Sequence, residues 1–382
     1  MGGHEHADVE VATPVRRAVQ VTVATLGLLT LVGLIVLWPS EDIPTTPTGA
    51  YAAGVVVESV PCDPPADDCA HILVEVAEGP DAGTQIETDL LISSTSPPIE
   101  PGTGVWLTQS SPGEYGFADI RRDGGLIWLV VVFAVAVIVF ARWKGVAALA
   151  GLASTLVLLA WFVLPALLLG SDPVAVAATG AAAIAIVSMG FAHGFSVRTG
   201  VALIGTIIAL FVTFGLGTLF TGLTHLTGMG SEDAYFLQLQ GATLDLRGLF
   251  LAGVVIGALG VLDDVTVTQT AAVSEVKHAH PEAGRAYLFK SGMRVGRDHV
   301  AATVNTLVLA YVGAALPLFL LVTMADAPIM HALNREILAQ EVVRALVGSL
   351  GIIAAVPITT GLMAFVLTEA PHPETASSPS GT

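Results

Sequence analysis

Eight stretches of this chain stay apolar for 18 residues or more: 18–38, 125–142, 145–170, 173–193, 199–222, 248–272, 299–323 and 343–367. No other feature limits the fold so strongly. About 20 apolar residues in a helix cover the roughly 30 Å of bilayer hydrocarbon, and only helices or closed barrels satisfy their own backbone there. The expected fold is a membrane all-α bundle of about eight transmembrane helices. Composition agrees, because 53% of the 382 residues are hydrophobic and only 12% are charged, against roughly 25% charged in a soluble protein. A soluble enzyme is excluded as the default. The net charge of −17 excludes the basic face that nucleic acid requires.

The first run is longer than the 7–15 residues of a signal-peptide core, and Trp38-Pro39-Ser40 offers no small-residue cleavage pattern, so it reads as an uncleaved anchor. Lys and Arg near the spans mark the cytoplasmic side. With the N-terminus inside, 10 of the 15 basic residues fall inside, among them Arg16, Arg17, Arg142, Lys144, Arg198 and Lys277. Eight spans then place both termini in the cytoplasm of a bacterial plasma (inner) membrane. The expected order is a disordered cytoplasmic tail over 1–17, an anchor helix over 18–38, an extracytoplasmic β-rich domain over 39–124, a seven-helix domain over 125–368 and a disordered tail over 369–382.

The outward segment is set apart by charge. Residues 41–123 carry 15 acids against Arg121 and Arg122 alone, thirteen of the seventeen net negative charges. Short β-prone pieces, Val55–Val57, Ile72–Val76 and Gly104–Leu107, alternate with Pro, Gly, Asp and Ser clusters, which predicts a small β-barrel of OB or SH3-like kind inserted after the first helix. Both cysteines, Cys62 and Cys69, lie there on a Pro- and Asp-rich loop. An extracytoplasmic location permits a disulfide between them. A metal site using Asp63, Asp67 and Asp68 is the competing reading, but the loop lacks EF-hand spacing.

Only the sixth run has charges well inside it, Asp263 and Asp264 in Gly260-Val261-Leu262-Asp263-Asp264-Val265-Thr266. Each costs about 2.5–3.5 kcal/mol at a helix centre, so both are expected to face protein, water or an ion. Helical projection puts Gly253, Gly257, Gly260, Asp264, Thr268 and Ala271 on one stripe, which predicts close helix packing there. Asp263 falls 100° away with Thr266 and Thr270. The start of the seventh run supplies candidate partners, Asp298 and Asn305, with Asn305 expected near the depth of the acids; Asp298 also suits a helix N-cap. Hydroxyls at Ser154, Thr155, Thr206 and Thr213 are expected to bond their own helix. Pro165, Pro317 and Pro357 are expected to kink theirs. Residues 329–344 read as an interfacial amphipathic helix. No nucleotide-binding G-x-x-x-x-G-K-[ST], H-E-x-x-H or G-x-S-x-G motif occurs.

Arg142-Trp143-Lys144-Gly145, Gly260–Glu275, Gly296–Gly313 and Leu333–Thr360 together resemble the YibE/F family of bacterial multipass membrane proteins. The resemblance runs from about Tyr51 to Thr360. In that family the sixth-span element is usually G-V-x-x-D, so Asp264 is the matching acid and Asp263 is an addition here. Gly296-Arg297-Asp298 and Asn305-Thr306-Leu307 match its G-R-D and N-T-L elements. The resemblance implies a bacterial membrane location and no settled activity.

Two functions follow from these residues. One is a transporter or channel for a cation or small solute, with Asp263, Asp264, Asn305, Asp298 and Thr268 binding an ion or proton; any cofactor would be a metal cation or proton. The other is a non-catalytic assembly or receptor protein, its β-domain binding an extracytoplasmic protein partner and its polar residues fastening the bundle. An aspartyl hydrolase is disfavoured, because two acids must share a proton at about 3 Å and neighbours on one helix diverge.

Overall fold

A computed structural model describes residues 11–41, 50–61, 69–79, 81–91, 99–111, 113–239, 244–325 and 328–368. Cys62 and the Cys69 side chain lie outside the described residues, as do Asp63, Asp67, Asp68 and both extreme tails. The chain divides into two compact units, one of residues 1–43 with 143–382 and one of residues 44–142.

The smaller unit is a curled antiparallel sheet with strands β1 (Ala50–Pro61), β2 (Cys69–Val76), β3 (Gln85–Leu91), β4 (Gly104–Ser111) and β5 (Glu114–Ile120), in the order β3-β2-β1-β4-β5. The edge strands β3 and β5 approach each other, which wraps the sheet around Val56, Ile72, Val74, Val105 and Leu107, all at most 1% exposed. Gly54 serves this curvature: a Cβ there would meet a Leu107 methyl at 3.1 Å and the side chain of Val74. The expected strands fall within β1, β2 and β4. β3 and β5 are the ones sequence missed, since Gln-Ile-Glu-Thr-Asp-Leu-Leu and Glu-Tyr-Gly-Phe-Ala-Asp-Ile carry little β-branched signal.

Tyr115 of β5 donates its hydroxyl hydrogen bond to Asp81 Oδ2 at 2.6 Å. That bond holds the proton on the phenol and pushes its pKa above the ordinary 10. A raised folded-state pKa contributes stability below pH 10 that is lost as the pH rises through the folded value. An alkaline titration of tyrosinate absorbance should therefore show a late component that Tyr115→Phe removes. An unchanged curve would mean that the contact is not kept in solution.

Helix α2 (Asp123–Ala141) follows β5 after two residues, and none of its residues is buried. Arg121 pairs with Asp123 at 2.7 Å and stacks over Trp106 at 5.2 Å from the ring centroid. Arg122 pairs with Asp119 at 2.9 Å.

The larger unit contains α1 (Thr13–Val36), α3 (Trp143–Leu158), a π-helical turn (Leu159–Val163), α4 (Leu164–Leu168), α5 (Pro173–His193), α6 (Val197–Leu223), α7 (Glu232–Leu239), α8 (Leu246–Ala279), α9 (Arg285–Ala314), α10 (Leu316–Met324), α11 (Ile329–Leu333) and α12 (Glu336–Thr368). Counting the π-turn and α4 with α3, and including α2, seven helices among the described residues are long and apolar enough to cross a membrane, and the bent pair α9 and α10 would make an eighth. α8 is the hub, packed on α5, α6, α9 and α12.

The seventh apolar run is not one straight span. α9 begins at Arg285, well before the run, and meets α10 at a 62° bend. Pro317 sits in the first turn of α10, where its ring excludes the carbonyl four residues back and supplies no N–H. Pro165 lies just after the π-turn, while Pro357 is carried inside an unbroken α12. The amphipathic helix expected over 329–344 is also divided. Asn334 closes α11 by donating to Met330 O at 2.6 Å, and α12 starts afresh at Glu336.

Candidate functional site

The surface of α8 reverses the expectation from its glycines. Gly253, Gly257, Gly260, Asp264 and Thr268 lie on an exposed face, and a Cβ on Gly253 or Gly260 would touch nothing within 4 Å. The packed faces carry Leu262, Val265, Thr266, Gln269 and Thr270 instead. The stripe is thus open at Gly253 and Gly260, and at Gly257 it meets α9, where a Cβ would stand 2.9 Å from the Tyr311 hydroxyl. α8 is apolar on nearly every side, so its glycines gave no reliable inward direction. Its hydrogen-bonding side chains mark the inside, because polar groups held among apolar ones need partners.

Two polar links fasten α8. Gln269, 1% exposed, donates from Nε2 to Gly292 O of α9 and to Thr360 Oγ1 of α12, each at 2.8 Å. Both amide hydrogens are thereby used. On the α6 side, the hydroxyls of Thr206 and Thr266 are 2.7 Å apart, and Thr266 donates to the Asp263 carbonyl at 3.2 Å. One proton per hydroxyl makes Thr206 the donor to Thr266. Thr206 therefore departs from the expected bond to its own helix, which Ser154, Thr155 and Thr213 do make.

Asp263 lies next to this link and points toward α5. Ser188 donates from Oγ to Asp263 Oδ2 at 2.7 Å. The other oxygen, Oδ1, is buried without a hydrogen-bond partner. A carboxylate oxygen removed from water and left unmatched is costly; Thr221, His299 and Thr359 hold the other unmatched buried side-chain atoms among the described residues. Ser188 stands five residues before the end of α5, about 7.5 Å by helical rise. The site consequently lies near one end of α5, shallower than mid-span. His193 at that end is within electrostatic range of Arg198, Asp264 and Lys144. A half-buried acid with one unpartnered oxygen thus stands one residue from an exposed acid, and His193 lies within electrostatic range of that exposed acid and of two cations.

A model of the YibE/F-like protein family matches residues 129–369, a span that holds every residue of this site. The chain belongs to the YibE/F-like family. Its seven candidate spans and this membership point to a multipass membrane protein. No curated protein and no solved structure matches it. The YibE/F-like match begins inside α2, so the sheet lies outside it.

The remaining candidates of this YibE/F-like chain are scattered. Asp298 is exposed within α9, 13 residues past its first residue, and does not cap a helix. Asn305 is exposed and bonds to neither acid among the described residues. Gln269 lies against Gly292 and Gly296, so continuing the antiparallel register brings Asp263 level with about residue 300. Asn305 is then roughly a turn beyond the acids. Thr268 is exposed on the Asp264 stripe. Among the described residues no three His, Cys, Asp or Glu side chains form a metal-binding group. Sequence reading missed Ser188, whose one available signal was a hydroxyl in an otherwise apolar run. His299, read from sequence as an interface residue at the start of the seventh run, has its Nδ1 buried without a partner.

Proposed function

We propose that this YibE/F-like protein is a transporter or channel for a proton, cation or small solute, and that Asp263 takes the charge on its way through the bundle. The observation that supports this reading most is the Asp263 carboxylate, held on one oxygen by Ser188 and buried without a partner on the other. An ionisable residue within a span is a functional candidate by default, since the bilayer makes it expensive to keep without use. Asp264 would collect the ion at the exposed face, and His193, Lys144 and Arg198 would set the local potential. Asp263 would accept it beside the Thr266–Thr206 hydroxyl pair. Asn305 and Asp298 take no part in this reading, because neither bonds to the acids among the described residues, while Thr268 stands one turn from Asp264 on the same exposed stripe.

The direct test is flux. Purified protein in liposomes, with a pH-sensitive dye inside and imposed gradients of protons, sodium or potassium, should dissipate at least one gradient faster than protein-free vesicles. Equal rates for every gradient would remove the proposal.

The exposed Gly253, Gly260 and Asp264 face favours the second reading, an assembly protein in which another helix covers these positions. Under it, Asp264→Asn would weaken association and leave every gradient intact.

We further propose a bacterial plasma membrane location with both termini cytoplasmic. A cysteine at position 285, in a background lacking Cys62 and Cys69, should resist a membrane-impermeant maleimide until cells are broken. Labelling in intact cells would invert the orientation.

A further inference from the structure

A cavity of about 280 Å³ lies between α1, α5, α6 and α8. Its floor is built from small side chains of α5, including Ala178 and Ala182, and its walls from Leu29 and Thr30 of α1, Phe211 of α6 and Val255 of α8. No charged residue lines it. Of the two threonines that line it, Thr30 turns its hydroxyl back onto Leu26 O at 2.8 Å, which leaves Thr179 as the single side-chain hydroxyl on offer. Water needs two to four polar partners to occupy such a space, so hydration is disfavoured. Empty space is disfavoured as well, because the lining atoms then lose their dispersion partners.

All four helices are long and apolar enough to span a bilayer. At the rim, Leu29 and Phe211 are 62% and 68% exposed, so the mouth opens sideways from the middle of these helices. There a bilayer presents hydrocarbon chains. We infer that the cavity is a binding site for one acyl chain of a membrane phospholipid, which packs α1 against α5 and α6. Ala182 stands six residues before Ser188 on α5, so the acyl site is separate from the Asp263 site and does not depend on the transport reading.

The test uses the full chain in detergent with defined phosphatidylglycerol added back. Native mass spectrometry should show one phospholipid retained by the wild type at detergent levels that strip the remainder. Added phospholipid should raise the melting temperature. Ala182→Phe, which fills the cavity, should lose the retained lipid and the lipid-dependent rise while melting as one transition. Equal retention by both proteins would place the lipid elsewhere and overturn the assignment. Should Ala182→Phe fail to fold, the wild type decides alone, in a comparison of phosphatidylglycerol with its headgroup, glycerophosphoglycerol. Stabilisation by the diacyl lipid only supports the site. No stabilisation, or the same stabilisation by the headgroup, overturns it. A second copy of the chain on this face would appear as a dimer that added lipid dissociates, and that result too would overturn the assignment.

Discussion

Asp263→Asn should bring gradient dissipation down to the level of protein-free vesicles while leaving a folded, monodisperse protein. Asparagine has the shape of aspartate and can still accept the Ser188 hydrogen bond through its carbonyl oxygen, so packing around α5 and α8 is preserved. It can neither hold a negative charge nor release a proton at accessible pH. Ser188→Ala should produce a smaller loss. It removes one hydrogen bond to a charged group, worth about 1.5–3 kcal/mol, which corresponds to roughly tenfold to a hundredfold in the population of the oriented carboxylate. Asp264→Asn should slow uptake from one side without abolishing it, because Asp264 is exposed and supplies entry. Under the assembly reading this order changes: flux is absent throughout, and Asp264→Asn alters association. Initial rates of the three variants, each checked by size exclusion, separate the two readings.

Gly296→Ala and Gly253→Ala should move stability in opposite directions. Gly296 of α9 lies against α8 and α12, where a new Cβ would stand 2.8 Å from Gln269 Oε1 and collide with the side chain of Val356. Overpacking of this kind costs about 1–3 kcal/mol. Displacing Gln269 from Gly292 O and Thr360 Oγ1 leaves buried donors unmatched, for about 1–3 kcal/mol more. Gly253 faces open space on α8, so alanine there removes the conformational cost of glycine in a helix, about 0.5–1 kcal/mol. Melting temperatures in one detergent check both. If Gly296→Ala melted with the wild type, the three-helix lock around Gln269 would be wrong.

These two glycines also show why the bundle was only partly legible in the sequence. The apolar helices could be read directly, because a run of 18 or more apolar residues has few alternatives, and every run reappears as helix, the third interrupted by a π-turn and the seventh broken at a bend. Span direction could not. In a soluble helix the apolar stripe marks the inside, but α8 is apolar on most of its circumference, so small residues on one stripe suit an internal contact and an open face equally. The residues that did mark the inside were Thr266, Gln269 and Thr270, and their partners Thr206 and Thr360 are far away in sequence. The bend between α9 and α10 was legible in part: Pro317 is expected to kink its helix and the 62° bend falls there, whereas hydropathy alone runs through it without a break. At the candidate site, the cost of carrying charge in a span singled out Asp263 and Asp264 as residues that need an explanation. The division of roles between them depended on Ser188, 75 positions away, and no local pattern carries that contact.

The central claim is that the Asp263 carboxyl group is held inside the bundle and exchanges its charge reversibly with one aqueous side. Infrared difference spectroscopy of wild type against Asp263→Asn across a pH series tests it most directly. A carboxyl band that appears and vanishes reversibly in the wild type, and is missing from the variant, is the predicted result. Superimposable spectra of the two proteins at every pH would contradict the account.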